Sequence, residues 1–291
     1  MVSSSITFLG TGGDATVIGR HLRSSGGFVV TYGDNQFHID PGTGALVKAF
    51  EHGINPRATT ALLVSHAHIN HSNDTNAMIS AMSYGGFDKK GVLIANRTVI
   101  EGTQEILPCI TKYHRECLER VVMLDEGQRV GINEIEIIAL KARHSEPNTI
   151  GFKILTPEFT IAYSSDTKFF QEMAEEYKNS SIIILNVVSP IRNNSRHNLC
   201  SEDAVKIIKS TKPQLAIIQH FGIEMIKSDP LYIIREMQKQ TGVHIIAAKD
   251  GMCINPLSHS ADRGQKTLRA YPVKPIQEVK VKEIENIGSI A

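Results

Sequence analysis

The 291-residue chain has no excess of charge of either sign. Its 31 Lys and Arg stand against 30 Asp and Glu, a formal net charge of +1. That leaves only a local basic patch as an electrostatic route to nucleic acid. No apolar run approaches the length that spans a membrane. The first ten residues lack the basic start and longer apolar core of a signal peptide. Cysteine is scarce: Cys109, Cys117, Cys200 and Cys253 are scattered and form no C-x-x-C pair. Such cysteines read as reduced thiols, so the expected location is cytoplasmic, with no membrane association. No repeat or low-complexity segment stands out. With 41% hydrophobic and 21% charged residues the composition is ordinary for a globular protein, and the length allows one large domain or two modest ones.

What is abundant is histidine at strand ends. Thr60-Ala61-Leu62-Leu63-Val64 has the length and bulk of a buried strand. Ser65-His66-Ala67-His68-Ile69-Asn70-His71 follows at once and brings three imidazoles to the strand's end. Neutral imidazole is a common ligand for zinc and related metals, so histidines this close together can converge on an ion. Similar placements recur. Asp40 follows a strand read at 36–39, His144 one at 135–140, Asp166 one at 159–163, and His220 one at 214–219. On chemistry alone Asp40 is either a helix N-cap or an acceptor that orients a ligating histidine, and Asp166 reads as an N-cap for a helix from 167 onward.

The remaining elements read coarsely. Residues 6–9 form a strand, and Gly10-Thr11-Gly12-Gly13-Asp14 turns sharply with no clear helix after it, a weak match to a phosphate-binding loop. Residues 28–32 and 36–39 form a hairpin about Gly33-Asp34-Asn35. Helices are expected at 43–52, 73–82, 202–210 and 223–240, with a break before Pro230, and a mostly helical stretch at 98–120 broken near Pro108. Lys112-Tyr113-His114-Arg115 is either a contact for an anionic substrate or a solvated helix face. Strands are expected at 92–95, 121–124, 149–155, 181–188, 243–248 and 252–254. Two similar halves, 6–93 and 121–254, suggest two facing sheets with helices outside. Beyond about residue 255 the composition shifts to Pro, Lys and Glu. The expected division is therefore a domain at 1–255 and an extension at 256–291, packed on the domain or serving as an interface arm, with one possible edge strand at 279–282.

The His66 to His71 stretch resembles the H-x-H-x-D-H motif of the metallo-β-lactamase fold hydrolases, except that Asn70 stands where that family usually has Asp. Phe8-Leu9-Gly10-Thr11-Gly12 and Arg23-Ser24-Ser25 resemble the opening of its ribonuclease Z-like members, where this region lines the site rim. The segment from His197 to Gly222 resembles the C-terminal half of their phosphodiesterase branch. The resemblance implies a four-layer αββα sandwich over about residues 5–255. It implies one metal on His66, His68 and His144, a second on His71 and His220 with Asn70 at the usual Asp position, and Asp166 as the bridge. It also implies one or two zinc ions, with iron or manganese as options, and water-dependent hydrolysis of a small-molecule or nucleic-acid phosphodiester. His197 would assist the leaving group; the other reading of His197 is a solvated loop histidine. A homodimer is expected.

Two features set the chain apart from the RNA-processing branches. Only 21 residues separate His144 from Asp166, too few for the long substrate arm, and the interval from Asp166 to His197 is too short for a large cap domain. Asn70 offers a neutral oxygen that cannot act as a base near neutral pH, so the second metal is less well compensated. A lactonase or thioesterase on the same metals, and a metal- or ligand-binding protein with impaired hydrolysis, are the alternatives.

Overall fold

The structure, a computed structural model, describes residues 2–192, 197–259 and 261–262. β1 (Ser4–Phe8) turns into α1 (Ala15–Gly19). β2 (Phe28–Tyr32) and β3 (Asn35–Ile39) form the expected hairpin. Then come α2 (Ala45–Glu51), β4 (Ala61–Val64), α3 (Ile69–Ser72), α4 (Thr75–Ser83), β5 (Val92–Ala95), α5 (Arg97–Glu101), α6 (Lys112–Glu116) and β6 (Arg120–Met123). The second half holds β7 (Arg129–Ile132), β8 (Ile135–Lys141), β9 (Ile150–Leu155), β10 (Thr160–Tyr163), α7 (Met173–Glu176), β11 (Ile182–Ser189), β12 (Leu199–Cys200) and α8 (Ser201–Thr211). It ends with β13 (Leu215–Gln219), α9 (Ile223–Lys227), α10 (Pro230–Thr241), β14 (His244–Ala247), β15 (Cys253–Ile254) and β16 (Ala261–Asp262).

These strands make two sheets. One has the order β16-β15-β1-β2-β3-β4-β5-β6 and the other β14-β13-β11-β10-β9-β8-β7, with β12 paired to β11. Side-chain alternation decides what each face meets. Ile182 and Ile184 of β11 join Phe28, Phe37, Phe152 and Tyr163 in the core between the sheets, while Ile183 and Leu185 face Ile208 and Met237 of the outer helices. Leu62, Val64 and Leu93 likewise pack outward on Met78 and Met82 of α4. The result is the αββα sandwich. Strands β3 to β6, and β10, β11, β13 and β14, run parallel. A parallel strand covered on both faces must be apolar throughout, hence the unbroken runs Ala61-Leu62-Leu63-Val64 and Leu215-Ala216-Ile217-Ile218. Parallel pairing also brings the carboxyl ends of β3, β4, β10 and β13 to one edge, where the loops carrying Asp40, His66, Asp166 and His220 begin.

Several expectations about elements do not hold. A one-turn helix follows the glycine turn, because Asp14 caps it by accepting from Val17 N at 2.7 Å. The stretch 98–120 holds only the two short helices α5 and α6, since Gly102 at φ 77° and Pro108 end regular structure between them. Residues 167–172 are irregular before α7, so Asp166 caps no helix there. β7 is half exposed and charged, which hides it from a search for apolar runs. β15 from the second half pairs with β1 in the first sheet, and β16 extends that sheet past residue 255. Residue 260 and residues 263–291 of the extension, including 279–282, lie outside the described residues.

Candidate metal centre

His66, His68 and His144 meet Asp166 in one cluster, and His71 and His220 meet the same Asp166 in a second; within each cluster the donor atoms lie within 4.8 Å of one another. His66 and His68 occupy the loop after β4, and His71 lies on the single turn of α3, which turns it back over the sheet end. His68 Nδ1 stands 3.1 Å from His66 Nε2 and 3.2 Å from His144 Nε2. Asp166 Oδ2 is 3.5 Å from His71 Nε2, 3.7 Å from His144 Nε2 and 4.0 Å from His66 Nε2, while Oδ1 is 3.1 Å from His220 Nε2. The metal positions expected from the sequence, Asn70 apart, are therefore brought together.

Buried partners decide which ring nitrogen faces the centre. Asp40 Oδ2 accepts from His71 Nδ1 at 2.9 Å, from Ser65 Oγ at 2.8 Å and from Tyr163 OH at 2.7 Å, and Oδ1 accepts from Ser65 N at 2.7 Å. The one hydroxyl hydrogen of Ser65 goes to Asp40, so His66 Nδ1 donates to Ser65 Oγ at 3.0 Å. His144 Nδ1 donates to the His197 carbonyl at 2.9 Å. Asp40 is thus the orienting acceptor and not a helix cap; Gly44 holds the N-cap position of α2. With those hydrogens committed, Nε2 of His66, His71 and His144 is turned toward the centre, as in metal sites where the second nitrogen fixes the first.

The donor set fits a cation. Nε2 of both His71 and His220 is buried with only Asp166 near it, at 3.5 and 3.1 Å, and makes no well-aligned hydrogen bond among the described residues, an arrangement that costs free energy unless another group satisfies it. Nε2 of His66, Nε2 of His144 and Nδ1 of His68 crowd together with room for at most one proton among them. Burial lowers the pKa of His66, His68 and His144 and keeps them neutral. Burial also acts against charge on His71, but Asp166 and Asp40 outweigh it and push its pKa up to about 10. Asp166 is buried, yet His220 and His71 hold its carboxyl well below the usual range.

The backbone braces these groups. Asp40 (φ 52°), Ser165 (φ 53°) and His220 (φ 65°) adopt left-handed conformations, a cost of about 1–3 kcal/mol each that surrounding contacts must offset. Behind His220, Gly13 N donates to Phe221 O at 3.0 Å and Phe221 N to Thr11 O at 2.8 Å. A Cβ on Gly13 would lie 2.1 Å from the His220 oxygen. The glycine turn therefore serves as a prop for His220. Arg23 belongs to the same prop, with its guanidinium over the Phe221 ring and bonded to Thr11 Oγ1.

Asn70 is half buried on α3, and its side chain makes no hydrogen bond among the described residues. His197 is exposed; its carbonyl orients His144, and its ring centroid lies 6.3 Å from that of His144. Lys112, Tyr113, His114 and Arg115 lie on α6, where His114 Nε2 bonds Ser80 Oγ at 3.1 Å. Asp74 accepts from Leu46 N at 3.2 Å and ties α4 to α2. The sequence reading missed Ser65, Tyr163, Asn186 and Glu146. Glu146 is a buried carboxylate two residues past His144 that accepts from Asn96 Nδ2, Thr98 Oγ1 and Asn148 N at 2.6–2.8 Å and anchors the His144 loop to α5.

A beta-lactamase superfamily domain matches residues 35–221. An uncharacterized protein of Methanocaldococcus jannaschii is 33% identical over 255 residues, covering 87% of this chain and 95% of that protein. The metallo-beta-lactamase fold protein YhfI from Bacillus subtilis superposes with a TM-score of 0.69 at 19% identity, covering 86% of this chain and 98% of that one. A diphosphatase from the PhnP family gives 0.65 at 19% identity, covering 87% and 98%. No helix among the described residues is long and apolar enough to cross a membrane. By sequence the chain belongs to the beta-lactamase superfamily, and its fold is that of the metallo-β-lactamase proteins.

Proposed function

We propose that the chain is a metal-dependent hydrolase acting on phosphodiesters. The observation that carries the reading is the set of buried imidazoles whose outer nitrogens are tied to Ser65, Asp40 and the His197 carbonyl, so that their inner nitrogens converge around Asp166. His66, His68 and His144 would hold one divalent ion, His71 and His220 a second, and Asp166 would serve both; zinc suits such a set, with iron or manganese as options. When bound, such ions supply Lewis acidity and make water a competent nucleophile at neutral pH.

The chain's own residues do the rest. Asp40 keeps His71 and, through Ser65, His66 in one orientation. Exposed His197, beside His144, can give a proton to a departing alkoxide or stabilise phosphoryl charge. Asn70, at the position where the family motif usually has Asp, would offer the second site a neutral group in place of a carboxylate that adds charge and accepts a proton.

The phosphodiester assignment is supported by the resemblance around His197 and by the structural likeness to a diphosphatase. Lactones and thioesters remain chemically accessible to the same centre. The presence of Asn70 favours a second reading, a metal-binding protein with impaired hydrolysis. Zinc-loaded protein assayed on bis-p-nitrophenyl phosphate, a lactone and a thioester tests the assignment. Turnover of the phosphodiester above the other two supports it. Turnover of only the lactone or thioester redirects it, and metal binding without any turnover favours the second reading.

A further inference from the structure

Asn186 is a lone polar residue inside Ile182-Ile183-Ile184-Leu185-Asn186-Val187-Val188, on a central strand, and is 1% exposed. A polar side chain there costs stability unless its hydrogen bonds are made, and a β-branched residue would suit the strand better. Every hydrogen of its amide is used. Nδ2 donates to Asp166 Oδ1 at 2.8 Å and to Tyr163 OH at 3.1 Å, and Oδ1 accepts from Gln219 Nε2 at 3.0 Å. Gln219 stands opposite Asn186 in the parallel register of β11 and β13. Tyr163 passes its own hydrogen to Asp40. The amide has one allowed orientation, because a flip would set its oxygen against the Asp166 carboxylate and its NH2 against that of Gln219.

We propose that Asn186 is the positioning residue of the shared carboxylate: by holding Oδ1 it leaves Asp166 Oδ2 as the one oxygen that faces His66, His71 and His144 together. Oδ2 is the atom 3.5–4.0 Å from those three Nε2 atoms, and Oδ1 is the atom committed to Asn186 on the His220 side. The same amide joins Asp166 through Tyr163 to Asp40, so one buried network sets the carboxylate between the clusters and the rings of His66 and His71. A residue needed only to fill the strand would make none of these bonds. The inference rests on the metal-site reading above.

The test is metal affinity with a double-variant cycle. Zinc affinity is measured by chelator competition for the parent, Asn186→Ala, Asp166→Ala and the double variant, together with the visible spectrum of each protein loaded with cobalt(II). Asn186→Ala should weaken zinc binding about tenfold to a hundredfold, the usual effect of losing a partner that orients a ligand, and alter the cobalt spectrum. In the Asp166→Ala background its effect on both should be much smaller, reduced to what passes through Tyr163 to Asp40. Asn186→Leu, close in volume and apolar, replaces the alanine variant if that one fails to fold in a thermal melt without metal. Parent-like affinity and spectrum in the variant, or an equal loss with and without Asp166, overturns the inference while leaving the hydrolase reading in place. A parent that binds no zinc overturns both.

Discussion

Replacing Asp40 with Asn should separate orientation of the metal ligands from their identity. Four donors converge on this buried carboxylate, three on Oδ2 and one on Oδ1. An amide has only one acceptor atom. Its best placement keeps the oxygen on the three-donor side and turns NH2 against the Ser65 N–H. One charge-assisted bond is then lost, worth about 1.5–3 kcal/mol, and the other three fall to neutral strength, about half as strong each. A loss of about 3 kcal/mol or more is expected in denaturant unfolding of the metal-free protein. With His71 and Ser65 less firmly held, zinc affinity should fall about tenfold to a hundredfold, read by chelator competition on protein verified as folded. Unchanged stability would show that the hydrogen-bond accounting is wrong. The predicted stability loss with parent-like zinc affinity would show that Asp40 serves the fold and does not tune the ligands.

Asn70→Asp should strengthen the second site and raise phosphodiester turnover. A unit charge about 4 Å from a cation is worth about 2 kcal/mol per unit of cation charge even at an effective dielectric near 40, and half of that already exceeds a factor of five in affinity for a divalent ion. In a zinc titration, two equally tight sites in the parent would refute the charge argument. The clusters should also differ in pH dependence. His66, His68 and His144 are neutral at pH 7, whereas His71 carries a proton up to about pH 10 that a cation must displace. Second-site affinity should therefore rise about tenfold per pH unit above neutrality while first-site affinity stays flat, and matching slopes would contradict this. In the metal-free protein the raised His71 pKa contributes stability that is complete below about pH 6.5 and disappears as pH rises through about 10. His197→Ala should lower phosphodiester turnover about a hundredfold or more with metal content intact, since the bond that orients His144 is to the His197 carbonyl, which the variant keeps; equal activity would make His197 a solvated loop residue.

Most of the residues that could be read from the sequence share one property: they carry their chemistry just past a recognisable apolar strand. That holds for His66 and His68 after β4, His144 after β8, Asp166 after β10 and His220 after β13. The layers were legible for the same reason, because buried parallel strands advertise themselves as aliphatic runs. What was not legible depends on contacts between distant segments. Ser65 and Tyr163 meet through Asp40, 25 and 123 positions away from it. Glu146 looks like an ordinary loop acid until Asn96 and Thr98 are placed beside it. Asn186 did leave a trace, a single amide among six aliphatic residues, and a buried polar residue in such a run always asks for partners. The short helices went wrong because one-turn helices such as α1, α5 and α6 have too few residues for a periodic pattern to show.

On this reading His66, His68 and His144 form a ready transition-metal site. Element analysis after zinc addition and mild desalting tests it most directly, on the parent and on a His66→Ala, His68→Ala variant. At least one zinc per chain is expected in the parent, with a second that is partial at low zinc, and loss of the tight ion in the variant. Well under one zinc per chain in the parent, or an undiminished tight ion in the variant, would contradict it.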